Sequence, residues 1–304
     1  MKDNIYKGTK LLAVLLLLLL HSVDAEAQRK KKKNAEVATV TEEPRKQEEK
    51  ENPYEKAIKG LTADEGIFKV FQNDSKVLYE IPKSELGKDM LWVTRLVATP
   101  ENLSPFLGSG WKMIEQVVRW EEIKGKIYLK KISFNNVADS TDAIYKSVAD
   151  NNFAPIIGSF KVEGQPEDSS AYLVDVTNFL TQDTRAISAL PQGIRTQLQV
   201  RRLASDKSYL ESVKSFPINV EARQVMTFEA GRPPSNQSAG LISMKVSQSM
   251  IKLPENPMMP RMWDERVGWF TLSNIDFSSD KLKGDQKRFL KRWRLEPKDE
   301  AAYQ

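Results

Sequence analysis

The chain has 304 residues, 40% of them hydrophobic, with a formal net charge of +5, no cysteine and a single histidine, His21. With no thiol, and no imidazole beyond position 21, it lacks the side chains for thiol catalysis, for a Ser-His-Asp triad and for zinc sites, which almost always use Cys or His. The apolar content supports a real core in a chain this long without disulfides, and the charge excess is mild.

Residues 1–27 read as a secretory signal. Lys2, Lys7 and Lys10 precede the apolar run Leu11–Leu20, and Ala25-Glu26-Ala27 offers small residues for cleavage. The run is shorter than the ~20 residues of a membrane span. The expectation is therefore an exported, periplasmic or extracellular protein with no stable membrane span after cleavage. Residues 28–52 follow as a charged linker that opens with the basic block Arg29–Lys33 and has no hydrophobic period. The block reads as a solvated tail.

Order is expected from Pro53. Tyr54, Ala57, Ile58 and Leu61 have helical spacing, with Gly60 as the stop. Ile67–Phe71 and Val77–Ile81 read as a hairpin across Asn73-Asp74, and Met90–Ala98 as a strand apolar on both faces except at Thr94 and Arg95. Residues 99–113 are rich in turn formers, so a boundary is placed there: a small hairpin domain over 53–105 and a larger one over 106–304. In the second, Val117–Ile123 and Lys126–Ser133 pair across Lys124-Gly125. Asp139–Asn151 is expected as a helix burying Ile144, Tyr145 and Val148. Ala154–Val162 and Ala171–Val174 read as strands, the latter running into a helix capped by Asp175. Pro217–Glu229 and Gly240–Leu253 alternate with period two, and Val267–Leu272 reads as a last strand. The fold class is α+β, mostly antiparallel β-sheet with a few short helices.

No phosphate-binding glycine loop and no twelve-residue calcium loop occurs. Carboxylate-pair glycosidase chemistry needs only two acids, and Glu121, Glu122, Asp168 and Asp175 are present, but solvated surface is the ordinary fate of such residues. Trp263, Trp269 and Phe270, with Met258, Met259 and Met262, form an aromatic and Met-rich stretch. It reads first as core filler and second as a docking surface. Asp264 reads as an ion-pair partner of Arg266 or Arg261, or as a carboxylate latch directed at a partner's metal. Trp293 lies among Lys291, Arg292 and Arg294, and cation–π packing at a junction suits it better than nucleic-acid binding.

Three stretches carry a family resemblance. Gly66–Phe71 followed by Lys76–Pro82 and Leu86–Leu91, then Arg261–Phe270 with its D-x-R-V-G-W-F run, then Arg292–Asp299, occur in the order found in secreted bacterial zinc-dependent metalloproteases that carry two N-terminal domains of unknown function. The chain resembles that N-terminal region over almost all of its length after the signal. In the family, catalysis belongs to a downstream domain whose H-E-x-x-H helix binds zinc. No such motif occurs up to Gln304, so the resemblance implies a non-catalytic, truncated front part. Zinc is expected only in the missing catalytic domain, and no cofactor in this chain. The expected partner is that catalytic domain, in cis or in trans, with no nucleic acid. The implied role is accessory or propeptide-like. Trp263, Asp264, Arg266, Trp269, Phe270 and Trp293 are the candidate docking residues. A stand-alone exported module for glycan or peptide is the alternative, and a carboxylate-only glycosidase a weaker one.

Overall fold

The computed structural model describes residues 52–295, apart from 104–106, 236, 279–280 and 282. The signal sequence, the basic block and the linker up to residue 51 lie outside the described residues. The chain opens with α1 (Pro53–Ile58), β1 (Thr62–Asp64), β2 (Lys69–Gln72), β3 (Val77–Pro82) and β4 (Asp89–Ala98). It continues through β5 (Lys112–Ile123), β6 (Lys126–Ile132), β7 (Asn136–Val137), α2 (Tyr145–Asn151), β8 (Ile156–Gly164) and β9 (Ala171–Asp175). Then come α3 (Thr177–Thr181), α4 (Gln192–Leu198), β10 (Val200–Leu203), β11 (Tyr209–Ser215), β12 (Asn219–Ala230), β13 (Leu241–Lys252), β14 (Thr271–Asp276) and β15 (Asp285–Leu290). The fold is α+β, dominated by antiparallel sheet.

Twelve strands form one antiparallel sheet in the order β1-β2-β3-β9-β8-β6-β5-β4-β13-β12-β10, with β11 also paired to β12. The strands of 53–105 and 106–304, expected as separate domains, are neighbours in it: β4 lies between β5 and β13, and β3 pairs with β9. Local chemistry explains the turns. Lys124 and Gly125 both take positive φ (53° and 77°), the two-residue geometry that matches strand twist. The Asn73 carboxamide accepts from the N–H groups of Ser75 and Lys76, both at 2.9 Å, and turns β2 into β3.

The sheet curls until its ends meet. Ile67 N–H donates to Phe216 O at 2.8 Å, Ser215 N–H to the Asp64 carboxylate at 2.9 Å, and Ser215 Oγ to Phe68 O at 2.6 Å. Gly66 makes this approach feasible, because a Cβ there would stand 2.6 Å from Phe216 N. Closure explains why a single core draws on ten strands, from Val70 of β2 through Trp92, Trp120, Leu129, Phe160 and Val174 to Val213, Val220 and Met250. Its centre is a run of tilted and edge-on rings linking Phe68, Trp120, Phe160, Phe179 and Trp92 at 5.3–6.1 Å. Each fully buried large side chain contributes roughly 1.5–3 kcal/mol by transfer from water.

Two smaller cores flank it. Tyr54 of α1 covers Phe71, Leu78 and Leu173 on the other face of the first strands, which is why β3 is buried on both sides. Phe228, Ile242 and Val246 pack against Leu190 and Leu198, so α4 covers that end of the β12–β13 ribbon. The segment before α4 is held by polar side chains that face inward. The Gln248 carboxamide accepts from Trp92 Nε1 (2.9 Å) and Thr94 Oγ1 (2.6 Å), and donates to Ile187 O (2.9 Å). Arg195, 4% exposed, donates to both oxygens of Asp183, to Ser188 Oγ and to Leu190 O. A buried guanidinium is tolerable only with its donors satisfied in this way.

A second, three-stranded sheet has the order β15-β14-β7, with β7 parallel to β14. Two expectations fail here. The helix starts at Tyr145 rather than Asp139, because the Asp139 carboxylate accepts from Thr141 N–H and Oγ1 and forms a turn instead of a cap. Ile144 and Tyr145 are exposed, since so short a helix meets little more than two-residue β7. The expected strand at Val267–Leu272 begins only at Thr271, because Asp264 accepts from Arg266 N–H through its side chain and from Val267 N–H through its carbonyl, which makes 264–267 a turn.

Candidate interaction face

Residues 256–270 and 288–295 interleave. Leu290 N–H donates to Arg261 O, Trp263 N–H to Arg288 O and Lys291 N–H to Phe270 O, all at 2.8–2.9 Å. Arg292 reaches Met259 O (2.6 Å) and Arg294 reaches Asn256 O (2.8 Å). This lacing holds the two segments that carry the aromatic and methionine side chains against each other. Trp269 and Phe270 stack edge to face at 6.2 Å, and Trp269 Nε1 donates to Lys291 O at 2.5 Å.

The face is exposed. Met259 is 82% accessible, Trp269 59%, Phe270 79% and Trp293 85%, with Met262, Val267 and Leu272 also exposed. The reading of this stretch as core filler is overturned: β14 and β15 form a small sheet with nothing packed over these side chains among the described residues. Trp263 is half-buried under the Arg288 guanidinium, 5.1 Å from its ring. The cation–π contact expected at Trp293 is thus found at Trp263, while Trp293 projects outward.

Asp264 pairs with Arg266 rather than Arg261. Arg266 donates through Nε (2.8 Å), Nη2 (2.6 Å) and its own N–H (3.0 Å). These bonds hold the Asp264 carboxyl at about 2, below the ordinary aspartate value. The carboxylate is therefore ionised and already engaged. The interleaved segments 256–270 and 288–295 carry Arg261, Arg266, Arg288, Lys291, Arg292 and Arg294 against Asp264 and Glu265, a net positive charge.

The four carboxylates considered for glycosidase chemistry all have local partners. Glu121 pairs with Lys130 (2.6 Å) and Glu122 accepts from Gly125 N–H (2.6 Å). Asp168 accepts from Ser170 N–H (3.0 Å), and Asp175 from Thr177 N–H (2.9 Å). Among the described residues no group of three or more His, Cys, Asp or Glu side chains could hold a metal ion. Nor is any helix among them long and apolar enough to cross a membrane.

The family model for the domain of unknown function DUF5117 matches residues 110–298, well over half of the chain. The chain belongs to the DUF5117 family. The model for a second domain of unknown function, DUF5118, matches residues 51–99. The DUF5117 segment thus begins at the end of the turn-rich stretch after β4 and takes in the whole aromatic face. No curated protein and no solved structure matches the chain.

Proposed function

We propose that this DUF5117 member is a non-catalytic, accessory or propeptide-like region of an exported zinc metallopeptidase, and that it folds, positions or restrains the catalytic domain in cis or in trans. The observation behind this reading is the exposure of Met259, Trp269, Phe270 and Trp293 on two segments that lace together. A soluble protein seldom displays large aromatic side chains together unless a partner covers them. The resemblance carried by the three sequence stretches supports a metallopeptidase catalytic domain as that partner, and in this reading the zinc chemistry is the partner's. Asp264, fixed by Arg266, serves to shape the 264–267 turn that presents Trp269 and Phe270.

The test is co-expression with an H-E-x-x-H catalytic domain from one of the metalloproteases that the chain resembles. A stable complex is expected, weakened roughly tenfold or more by Phe270→Ser with Trp293→Ser, a loss typical of a binding hot spot. Both side chains are exposed, so the urea midpoint should not move. Absence of a complex, with proteolysis unchanged, would count against the proposal. A stand-alone exported module that binds peptide is the second reading, and the observation favouring it is the strand edge considered next.

A further inference from the structure

The large sheet parts along β8. On one side β8 follows β6 from Ile156 to Lys161. On the other it meets β9 only at Val162 and Gly164, with an irregularity between them. The cause lies in the next residues of the chain. β9 ends at Asp175, whose carboxylate accepts from Thr177 N–H at 2.9 Å and turns the chain into α3. Had β9 continued, the residues after Asp175 would lie opposite Phe160 and Ser159. The space holds instead a groove of about 440 Å³, with Ser159, Phe160, Lys161 and Glu163 of β8 on one wall and Asp175, Asn178 and Phe179 on the other.

Alternate backbone groups along Ile156–Lys161 face away from β6 and have no strand beside them. Such a row of donors and acceptors is complementary to another extended backbone. We infer that this seam binds a single extended peptide, which adds to the sheet beside Ile156–Lys161. The volume is in the range of ligand clefts, roughly 300–1,000 Å³. With Asp175, Asn178 and Phe179 closing its far side, a groove of this volume suits one extended chain better than the broad edge of a second copy's sheet. The floor is apolar, with the Phe160 and Phe179 rings 5.6 Å apart. The rim carries Lys161 against Glu163 and Asp175, so charges of both signs flank the groove and main-chain pairing, rather than net charge, sets recognition. Exposed Ile156 adds apolar surface at the start of β8 for a side chain of the guest. The inference stands on strand pairing alone and does not depend on the metallopeptidase assignment.

The test uses the full chain, panned against a displayed library of random linear peptides, with a selected peptide then made synthetically. Binding is expected to slow amide exchange in residues 156–161. It should weaken roughly tenfold or more in Asn178→Trp, whose indole fills the groove. Asn178 is exposed on α3, and an unchanged urea midpoint would confirm that the variant folds. Should it not fold, Ser159→Trp blocks the groove from the opposite wall. Failure to select any peptide, protection elsewhere in the chain, equal binding by the folded blocking variant, or self-association through β8 in place of peptide binding would each overturn the proposal.

Discussion

The Gln72 side chain stands in for a strand. Its Nε2 donates to Val213 O at 2.7 Å and its Oε1 accepts from Val213 N–H at 3.3 Å, so one carboxamide satisfies both main-chain groups of a residue 141 positions away. Val213 also pairs with Ala222 of β12, and its own N–H and C=O point outward from that strand to the other end of the sheet. Gln72→Ala leaves both groups without a protein partner and should cost about 1–3 kcal/mol. Urea unfolding measures the loss. Faster amide exchange in β11, with β13 unaffected, would place the defect at the closure.

Gly66 sits at the same closure. Alanine there would bring a Cβ within 2.6–2.7 Å of Phe216 N and O, both of them backbone atoms that cannot rotate aside. Gly66→Ala should therefore destabilise by ~1–3 kcal/mol, the usual scale for overpacking. The companion variant Gly108→Ala, with open space at its Cβ, should be near neutral. Equal thermal midpoints for the two variants would refute the clash.

Gln248 connects β13, β4 and the segment before α4. Gln248→Leu removes the acceptor for both Trp92 Nε1 and Thr94 Oγ1 and the donor to Ile187 O, all buried. Thr94 Oγ1 also donates to Ile187 O at 3.2 Å and keeps that partner, so the buried Trp92 Nε1–H is the group left stranded, and a loss of about 1–3 kcal/mol is expected. Gln248→Glu keeps the acceptor but places an unpaired charge in the core, and should be worse still. Equilibrium denaturation of the three proteins, read by tryptophan fluorescence, would rank them.

The sequence showed the parts of this fold whose causes are local. The turns at Asn73 and Lys124-Gly125 and the period-two runs of β12 and β13 are set by neighbouring residues and are legible, whereas Asp175, expected as a cap, forms a turn onto Thr177 N–H one residue before the N-cap, Val176. β11 pairs with β12 close by in the chain, but only Val213 and Ser215 of its residues are buried, so no apolar alternation marks it. β10, β15 and α4 are short and polar outside their contacts, so no periodicity separated them from loop. The aromatic stretch reads as core for a reason that is also local. Trp269 and Phe270 have the composition of a core, and their exposure follows from the 264–267 turn and from the lacing of 256–270 with 288–295. The seam along β8 left no sequence signal, since it arises from where β9 stops.

Glu85 ties the turn after β3 to β13. Its Oε1 accepts from Lys252 Nζ and Lys88 Nζ, both at 3.0 Å. Burial pushes the carboxyl up, but the two lysine hydrogen bonds and their charges outweigh it and hold it below the ordinary glutamate value. The unfolded chain then binds the proton more readily than the folded one. The stabilisation is complete above the unfolded value of about 4.3 and is lost as pH falls through the lower folded value. At neutral pH, Glu85→Gln should cost about 1–2 kcal/mol, at the low end for charge-assisted bonds because Lys88 is partly in solvent. Urea midpoints of the two proteins, measured from pH 7 down to about 3, should converge as the carboxyl protonates. A gap that stayed constant across that range would show that the two lysines do not hold the carboxylate in its charged form.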